Sequence, residues 1–355
     1  DWVALRDGAG RTVDSVAWHD ARRGSAMTGG DLRRTTAAPG AAGTAPAGGA
    51  SAPTTSRGAA PADPRTLVVR VLDVGQGDAV YVENGGSRAL IDGGADPVVL
   101  GRHLDRLGLD GQTIDVVVVS HGHLDHYNGL RELFRSRRRI TVRYLFDSRD
   151  ASPNRTLDDL RDSVAARARR RQLDARDADD PCGDGRPACT VTLRGGARLQ
   201  VWRPSPVDSA SPNNRSVAVR LVSADSGFTM WLAGDAEREA IAWMERSGYP
   251  LRADVLKGDH HGSCDGVSAS YLRRVAPSLV VMSLAAENDY GFVHTQTTRL
   301  IEAAGARWLR TDQNGTITIT APARDGRPWE ATVERGGWNP RGPSDRESRD
   351  GKCRR

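Results

Sequence analysis

Lysine, aromatic residues and long apolar runs are scarce in this 355-residue sequence. Lysine occurs only at Lys257 and Lys352, so arginine carries the positive charge, and the net charge of +5 is small for this length. This small positive charge is compatible with a polyanionic substrate but does not by itself indicate one. Aromatic residues make up 5% of the chain, which argues against an extended base-stacking surface. Because no apolar run approaches the roughly 20 residues of a transmembrane helix, no membrane-spanning segment is predicted.

Cysteine is also rare, and none of the four cysteines forms a Cys-x-x-Cys pair, which argues against structural zinc. Cys182 and Cys189 flank the turn-rich segment GDGRPA and either close a small disulfide loop or remain two unrelated thiols. A disulfide would fit a secreted or cell-surface protein, as would the linker described below and a chain that starts at Asp1 without a signal peptide. A cytoplasmic location is the alternative.

The composition divides the chain into four parts. Residues 1–34 begin with WVALR and TVDSVAW, joined by DGAG, which predicts a β-hairpin and resembles the last hairpin of a lamin-tail-like domain. Residues 35–65 are dominated by Ala, Gly, Pro, Ser and Thr and are predicted to be a disordered linker. The folded domain is predicted over 66–335, and the Arg- and Gly-rich residues 336–355 are predicted to be a disordered basic tail.

Strand patterns alternate with single helices in the central part, which predicts a layered α/β (α+β) domain. The predicted helices span 98–107, 129–135, 156–176, 237–246, 268–274 and 297–304. The domain is predicted to end in a strand pair formed by ARWLRT and GTITITA.

The strongest chemical signal is SHGHLDH at 120–126, directly after the buried strand pattern DVVVV. His121, His123, Asp125 and His126 place four metal-capable side chains in one short loop, where they can face two adjacent ions. The alternative is a polar loop with incidental histidines. Because three of the eight histidines fall within six residues, the metal site is favoured.

This motif resembles the metal-binding motif of the metallo-β-lactamase superfamily, and LIDGG, LAGD and KGDHHGS follow in that family's order. The resemblance covers about residues 66–320 and implies a four-layer αββα sandwich with two divalent metal ions. It implies that Asp92 orients the metal-binding loop through hydrogen bonds, and that His260 contacts the substrate phosphate or lies just outside the ligands. The implied metal ligands are His121, His123, Asp125, His126, Asp235 and His261, with Asp235 bridging the ions.

One departure from the family pattern affects the choice of metal. No histidine occurs between Tyr127 and Asp259, where the family usually has a third histidine for the first ion, and the polar residues there are Asn213, Asn214 and Ser216. The first ion would then bind His121, His123, Asp235 and water, and the second Asp125, His126, Asp235 and His261. An oxygen-richer site should accept Mn²⁺ as well as Zn²⁺.

Further motifs narrow the resemblance. VLDVGQGDAVYVE, NNRSVAVRL and NDYGFVH, with those above, resemble the soluble hydrolase domain of ComEC-type competence proteins, whose members are believed to cut DNA. A related branch is the phosphorylcholine esterases. In VGQGD, the glycines either let backbone amides approach a substrate or form a plain tight turn. Residues expected around the ligands or the substrate are Asp92, Asp78, Asn214, Ser216, Ser263 and Tyr290.

Four residues are candidates for catalysis: Asp125, His260, His294 and Lys257. His294 and Tyr290 in NDYGFVH could protonate a leaving oxygen, although a lone histidine is often structural. Lys257 could contact phosphate, or be a solvated lysine.

An arginine cluster (Arg135, Arg137, Arg138, Arg139 and Arg143) follows the metal-binding motif. It could track a nucleic-acid backbone. The alternative is a solvated helix end with cations at its C-terminus.

These observations predict a binuclear metal-dependent hydrolase, a phosphodiesterase or nuclease acting on DNA or another phosphoester by a metal-activated hydroxide. One alternative is a hydrolase of a carbon ester, lactone or β-lactam, since fold alone does not fix the substrate. The others are a phosphorylcholine-esterase-like enzyme and a non-enzymatic binding module with a relic site.

Overall fold

The computed structural model describes residues 2–6, 12–17, 63–149, 154–207, 211–323, 328–348 and 353. The strands in these ranges are β1 (Trp2–Arg6), β2 (Thr12–Ala17), β3 (Leu67–Val71), β4 (Val80–Asn84), β5 (Ser87–Ile91), β6 (Thr113–Val119), β7 (Thr141–Asp147), β8 (Asp174–Asp177), β9 (Ala188–Thr192), β10 (Arg198–Trp202), β11 (Ala218–Val222), β12 (Thr229–Leu232), β13 (Val255–Lys257), β14 (Leu279–Met282), β15 (Arg307–Arg310), β16 (Ile317–Ala321) and β17 (Glu330–Val333).

Short and long helices connect these strands. The α-helices are α1 (Pro97–Arg106), α2 (Leu124–Tyr127), α3 (Arg155–Arg169), α4 (Arg238–Arg246), α5 (Ala269–Val275), α6 (Thr295–Ala303) and α7 (Thr311–Asn314). The 3₁₀ helices are Asn128–Phe134, Ser136–Arg138, Pro212–Arg215 and Asp259–Gly262. In the described ranges, every helix is too short or too polar to span a lipid bilayer.

The strands form two sheets, in the orders β2-β1-β17-β16-β3-β4-β5-β6-β7-β8 and β15-β14-β13-β12-β11-β10-β9. Central strands of the first sheet are covered on both faces. In β6, Val116 and Val118 join the apolar core shared with the second sheet, whereas Val117 and Val119 face a separate core. The continuous apolar run in β6 is therefore explained by burial of both faces, as is usual for parallel strands.

Helices cover the outer face of each sheet. Leu100 and Leu104 of α1, with Leu157 and Leu160 of α3, pack in the core outside the first sheet. Helices α4, α5 and α6 pack outside the second sheet in a core that includes Trp231. The order helix, sheet, sheet, helix confirms the predicted four-layer αββα sandwich.

The predicted N-terminal hairpin is present as β1 and β2, which pair antiparallel. Strand β1 also pairs parallel with β17, with Leu5 opposite Ala331. The hairpin therefore extends the edge of the first sheet. Most of the predicted linker, 35–62, lies outside the described residues.

Three local predictions differ from the structure. The predicted helix 156–176 ends at Arg169, and the chain then forms the edge strand β8. The predicted helix 129–135 is the 3₁₀ helix Asn128–Phe134. Strands β15 and β16, predicted to pair, lie in different sheets, because the one-turn helix α7 carries the chain across between them.

The C-terminal residues 336–348, predicted to be disordered, make specific contacts. The Trp308 N–H donates to Asn339 Oδ1 at 2.9 Å, and the buried guanidinium of Arg310 pairs with Asp345. A disulfide joins Cys353 to Cys264, and another joins Cys182 to Cys189. Composition indicated disorder here, but the segment supplies Asp345 as a carboxylate partner of the buried Arg310, in addition to Asp312.

Candidate metal centre

The predicted metal-binding residues and Asp92 follow strands that pair parallel within each sheet. Asp92 follows β5, the 120–126 loop follows the parallel strand β6, Asp235 follows β12, and His261 follows the parallel strand β13. In open α/β sheets, ligands bind beyond the carboxyl ends of parallel strands. The fold therefore brings side chains from both sheets to one end of the sandwich.

Asp235 lies at the centre of this cluster. Its Oδ2 is 3.1 Å from His126 Nε2, 3.2 Å from His261 Nε2 and 3.8 Å from His121 Nε2. Asp125 Oδ2 lies 3.3 Å from His261 Nε2. The cluster is buried except for the partly exposed Asp125 and His123.

Two groups of potential ligands meet at Asp235. His121 and His123 form one group with Asp235, with a ligand atom of each within 4.8 Å of the others. Asp78, His126 and His261 form the other group with the same aspartate. The six residues predicted as metal ligands are thus gathered in one place, around a shared carboxylate.

Unpartnered polar atoms test whether a metal fits these residues. His121 Nε2 and Asp235 Oδ1 are buried and have no hydrogen-bond partner among the described residues. A buried polar atom left unsatisfied costs about 1–3 kcal/mol, so such atoms usually have a ligand. Imidazole and carboxylate donors suit divalent zinc and manganese. The side chains present therefore fit divalent metal ions.

The pKa values of the cluster reflect its burial and its close charges. Burial lowers the pKa of His126 and His261, but the carboxylates around them, with Asp235 the strongest, outweigh burial and raise both values well above the histidine norm. Burial raises the pKa of Asp235, but His126 and His261 together hold it well below its usual range. Burial lowers the pKa of His121. Because metal ligation needs neutral imidazole, metal binding here would release protons.

Acceptors behind the histidines fix the direction of their rings. His126 Nδ1 donates to Asp92 Oδ2 at 2.9 Å, and Ser120 donates to the same carboxylate through its N–H and its hydroxyl. His261 Nδ1 donates to the Ser283 carbonyl at 2.8 Å. Both rings therefore present Nε2 to Asp235. The contacts of Asp92 are those that its predicted orienting role requires.

Lys257 is buried, which fits neither of the two predicted alternatives, a phosphate contact or a solvated lysine. Its side chain is 1% exposed, and Nζ pairs with Asp78 Oδ2 at 2.6 Å. The Asp78 N–H donates to the Asp125 carbonyl at 3.2 Å. Gly77 has a φ of +111°, and a Cβ there would overlap the same carbonyl. The VGQGD segment thus forms a close-packed turn against the backbone of the metal-binding loop.

His260 lies at the mouth of the cluster with partners that the sequence did not indicate. Its Nδ1 donates to Asp265 Oδ1 at 2.9 Å, and its side chain is 20% exposed. Asn213 Nδ2 lies 3.4 Å from His260 Nε2 and donates to Glu237 Oε1 at 2.8 Å. Asp265 and Glu237 follow DHHGS and LAGD by a few residues. This proximity to the motifs was the only feature of the sequence that could have indicated their role.

His294 is placed differently from its predicted catalytic role. Its Nδ1 accepts from the Cys264 N–H at 3.1 Å, and its Nε2 donates to the Tyr290 carbonyl at 3.2 Å. Both ring nitrogens thus contact backbone groups, which favours the structural alternative. Tyr290 itself is exposed.

The remaining predicted residues take supporting places. Asn214 Oδ1 accepts from the N–H groups of Glu237 and Ala240 at the start of α4. The Ser216 hydroxyl accepts from the Asp235 N–H at 3.1 Å and lies 3.4 Å from His121 Nδ1. Ser263 is buried, and its N–H donates to the His260 carbonyl. Ser216 thus contacts a predicted ligand, whereas Asn214 caps a helix.

The arginine cluster is largely neutralised by carboxylates. Arg135, Arg137 and Arg138 all pair with the buried Glu132. Arg143 pairs with Asp115 at 3.3 Å. These ion pairs favour a structural role over contact with nucleic acid.

Comparison with known proteins agrees with this geometry. Residues 72–174 match the sequence profile of the Metallo-beta-lactamase superfamily, and this segment contains Asp92 and the whole 120–126 motif. This part of the chain is thus similar to the metallo-β-lactamase superfamily. This similarity implies divalent metal ions, in agreement with the donor set around Asp235.

Two individual relatives align with most of the chain. ComE operon protein 3 of Bacillus subtilis (strain 168) is 26% identical over 272 residues, which are 70% of this chain and 32% of that protein. Uncharacterized protein YcaI of Escherichia coli (strain K12) is 24% identical over 264 residues, 72% of this chain and 30% of that protein. The chain thus spans about a third of the length of these relatives. The first match confirms the predicted resemblance to ComE-type proteins.

Among solved structures, the chain is similar to the metallo-beta-lactamase fold protein YhfI from Bacillus subtilis. It is 13% identical to this chain, with a TM-score of 0.46, and the alignment covers 72% of this chain and 99% of that one.

Proposed function

We propose that this chain is a metal-dependent phosphodiesterase that cleaves DNA with two divalent ions, zinc or manganese. The observation that carries the proposal is the position of Asp235 between two groups of histidines. We assign His121, His123 and Asp235 to one ion, and Asp125, His126, Asp235 and His261 to the other.

When bound, the two ions supply Lewis acidity that activates water and neutralises charge on a phosphoryl group. The chain's own residues hold the site in place. Asp92 and the Ser283 carbonyl orient His126 and His261, so that the ligand atoms are arranged before substrate arrives.

His260 is the residue proposed to contact the reacting group. Its ring is held by Asp265, and its Nε2 has only a 3.4 Å contact to Asn213. When both ring nitrogens carry a proton, Nε2 in this position can donate to a phosphoryl oxygen or to the departing oxygen. Lys257 and His294 are left out of the reaction because both are committed to internal contacts.

The choice of DNA rests on the motifs that resemble ComEC-type competence proteins, and the similarity to ComE operon protein 3 supports that resemblance. The two disulfides favour an oxidising compartment, so export is part of the proposal.

The test measures metal content and hydrolysis together. The purified protein is assayed in Mn²⁺ or Zn²⁺ with single-stranded DNA, duplex DNA, bis(p-nitrophenyl) phosphate, p-nitrophenyl acetate and a chromogenic β-lactam. We expect metal-dependent cleavage of the phosphodiesters that is lost in Asp235→Asn. The matched control is Asp159→Asn, at an exposed site on α3. Turnover of the ester or the β-lactam in place of the phosphodiesters would refute the proposal.

A further inference from the structure

Tyr290 is an exposed aromatic residue stacked on a buried one. It is 62% exposed, whereas Phe292 beneath it is buried. The ring centroids are 5.2 Å apart with an interplanar angle of 18°. One face of Tyr290 is thus covered by Phe292 and the rest of the ring is open to solvent. Among the aromatic residues of the described ranges from 63 onward, Tyr290 alone is exposed.

The aromatic stack adjoins the metal centre. The Phe292 ring lies 5.6 Å from that of His260 and 6.3 Å from that of His261, measured between centroids. Phe292 therefore lies between Tyr290 and the predicted ligand His261. A group bound on Tyr290 would be a near neighbour of the reacting phosphate, not the reacting phosphate itself.

Hydrogen bonds hold the segment that carries the two rings. Asn288 Oδ1 accepts from the Phe292 N–H at 2.8 Å, and Asn288 Nδ2 donates to the Phe292 carbonyl at 2.9 Å. His294 Nε2 donates to the Tyr290 carbonyl. The ring is thus fixed before any ligand binds, which lowers the entropy cost of binding.

A cation lies beside the rings. Arg346 Nη2 donates to the Asp289 carbonyl at 2.6 Å, and the Arg346 side chain crosses Gly291, where a Cβ would overlap it. Arg346 is exposed, and no carboxylate of the described ranges lies within ion-pair distance of it. It therefore differs from the arginine cluster, whose guanidinium groups are largely paired.

Acidic residues in the same loop reduce its electrostatic attraction for a phosphate backbone. Glu287 and Asp289 are exposed close to Tyr290 in sequence. The loop is therefore not a basic surface, and recognition here would depend on the open ring with one guanidinium beside it. An aromatic face with an adjacent arginine is the arrangement that binds single-stranded nucleic acid.

We propose that Tyr290 stacks on the nucleobase next to the phosphodiester that is cleaved, and that Arg346 contacts the neighbouring phosphate. The inference rests on the proposed function and extends it to specificity. Bases within a duplex are already stacked and paired, so a base must be unpaired to reach Tyr290. The enzyme would then prefer single strands or frayed ends to intact duplex.

The kinetic test combines a protein change with a substrate change. Single-stranded oligonucleotides with either a normal or an abasic nucleotide beside the cleaved bond are given to the wild type, Tyr290→Ala and Tyr290→Phe. We expect the abasic site and Tyr290→Ala each to lower kcat/KM by about tenfold, the scale of one lost base stack. Together they should lower it no further, because both remove the same contact. Tyr290→Phe should behave as wild type.

A matched control separates stacking from general damage. Tyr144→Ala removes a tyrosine of β7 that lies between Arg143 and Arg176, away from the metal centre. It should leave kcat/KM for both oligonucleotides unchanged. Arg346→Ala should weaken binding for all sequences and reduce the slope of log Kd against log salt by about one.

A binding measurement does not depend on activity. An oligonucleotide containing 2-aminopurine is mixed with the protein in a chelator, and stacking is read as loss of 2-aminopurine fluorescence. We expect quenching by the wild type and by Tyr290→Phe, and none by Tyr290→Ala.

Other results would overturn the inference. Independent, multiplying effects of the abasic site and Tyr290→Ala would mean that Tyr290 does not contact that base. Dependence of p-nitrophenylphosphorylcholine cleavage on Tyr290, without a matching effect on DNA, would assign the ring to a quaternary ammonium group instead. If the wild type cleaves no DNA, the proposed function fails. If it cleaves DNA with independent effects, only this inference fails.

Discussion

Lys257 forms a fully buried ion pair with Asp78, with 2.6 Å between Nζ and Oδ2. Burial lowers the pKa of Lys257, but Asp78 and then Asp235 outweigh it and raise the value above the lysine norm. The pair joins the VGQGD turn of the first sheet to strand β13 of the second. A lysine that the sequence suggested for substrate binding thus connects the two sheets beneath the metal centre.

Breaking this pair should destabilise the protein. Asp78→Asn leaves a buried lysine without its carboxylate, and we expect a loss of about 3–5 kcal/mol in the free energy of unfolding. Urea denaturation followed by circular dichroism measures it, with Asp159→Asn as the control. A change of under about 1 kcal/mol, within the usual range for exposed pairs, would contradict the assignment.

Asp235 and His123 should be required for activity and not for folding. Loss of Asp235 removes a ligand shared by both proposed ions, so Asp235→Ala should lower kcat/KM for DNA by more than about 100-fold, beyond the effect of an outer partner. His123→Ala should also abolish activity. Circular dichroism should remain that of the wild type. Unchanged turnover in either variant would remove the proposed site.

Asp92 should act through His126. Asp92→Asn weakens the acceptor for His126 Nδ1 and for Ser120, and we expect metal affinity to fall by about 10- to 100-fold. Isothermal titration with Mn²⁺ or Zn²⁺ measures the change. Asn214→Ala, which removes a helix cap at the start of α4, should keep the wild-type affinity. Equal affinities for Asp92→Asn and wild type would exclude an orienting role.

Metal should stabilise the folded chain. Because the ligands come from distant segments, the unfolded chain offers no assembled site, and binding adds about 2.7 kcal/mol of stability at 100 times Kd. Thermal unfolding with and without chelator should show a higher Tm in the metal-loaded protein. In Asp235→Ala the difference should nearly vanish. An identical Tm with and without metal in the wild type would argue against binding.

The two disulfides should contribute unequally. Cys264 and Cys353 are separated by 89 positions, and Cys182 and Cys189 by 7. In the chain-entropy account, a longer closed loop gives greater stabilisation, with typical values of about 2–4 kcal/mol. The double change to serine at Cys264 and Cys353 should therefore lower the free energy of unfolding more than the same change at Cys182 and Cys189. The reverse order in urea denaturation would contradict this.

The sequence was sufficient to predict a feature when one short segment contains all the residues that define it. The 120–126 loop carries four predicted ligands, and its preceding strand β6 is recognisable as a continuous apolar run. Helix α1 was predicted within one residue at each end. In the structure Asp96 caps its first turn and Pro97 starts it. The order of the later motifs was sufficient to predict the sandwich.

The sequence failed where a residue's role depends on what surrounds it. Lys257 and His294 have chemistry suited to catalysis, but the fold surrounds one with Asp78 and the other with backbone groups. Asp265 and Glu237 carry no motif of their own, although they lie beside His260.

The sequence by itself determined the layered fold, the metal-binding loop and the identity of the side chains gathered at Asp235. These properties can be recognised from the periodicity of apolar residues and from motifs within short segments, without knowledge of contacts between distant segments. Only the tertiary structure decided which arginine and lysine side chains pair with carboxylates, which histidines face Asp235, and that the Tyr290 ring is exposed to solvent. Those properties arise from contacts between distant segments, and burial together with the nearest charges sets them.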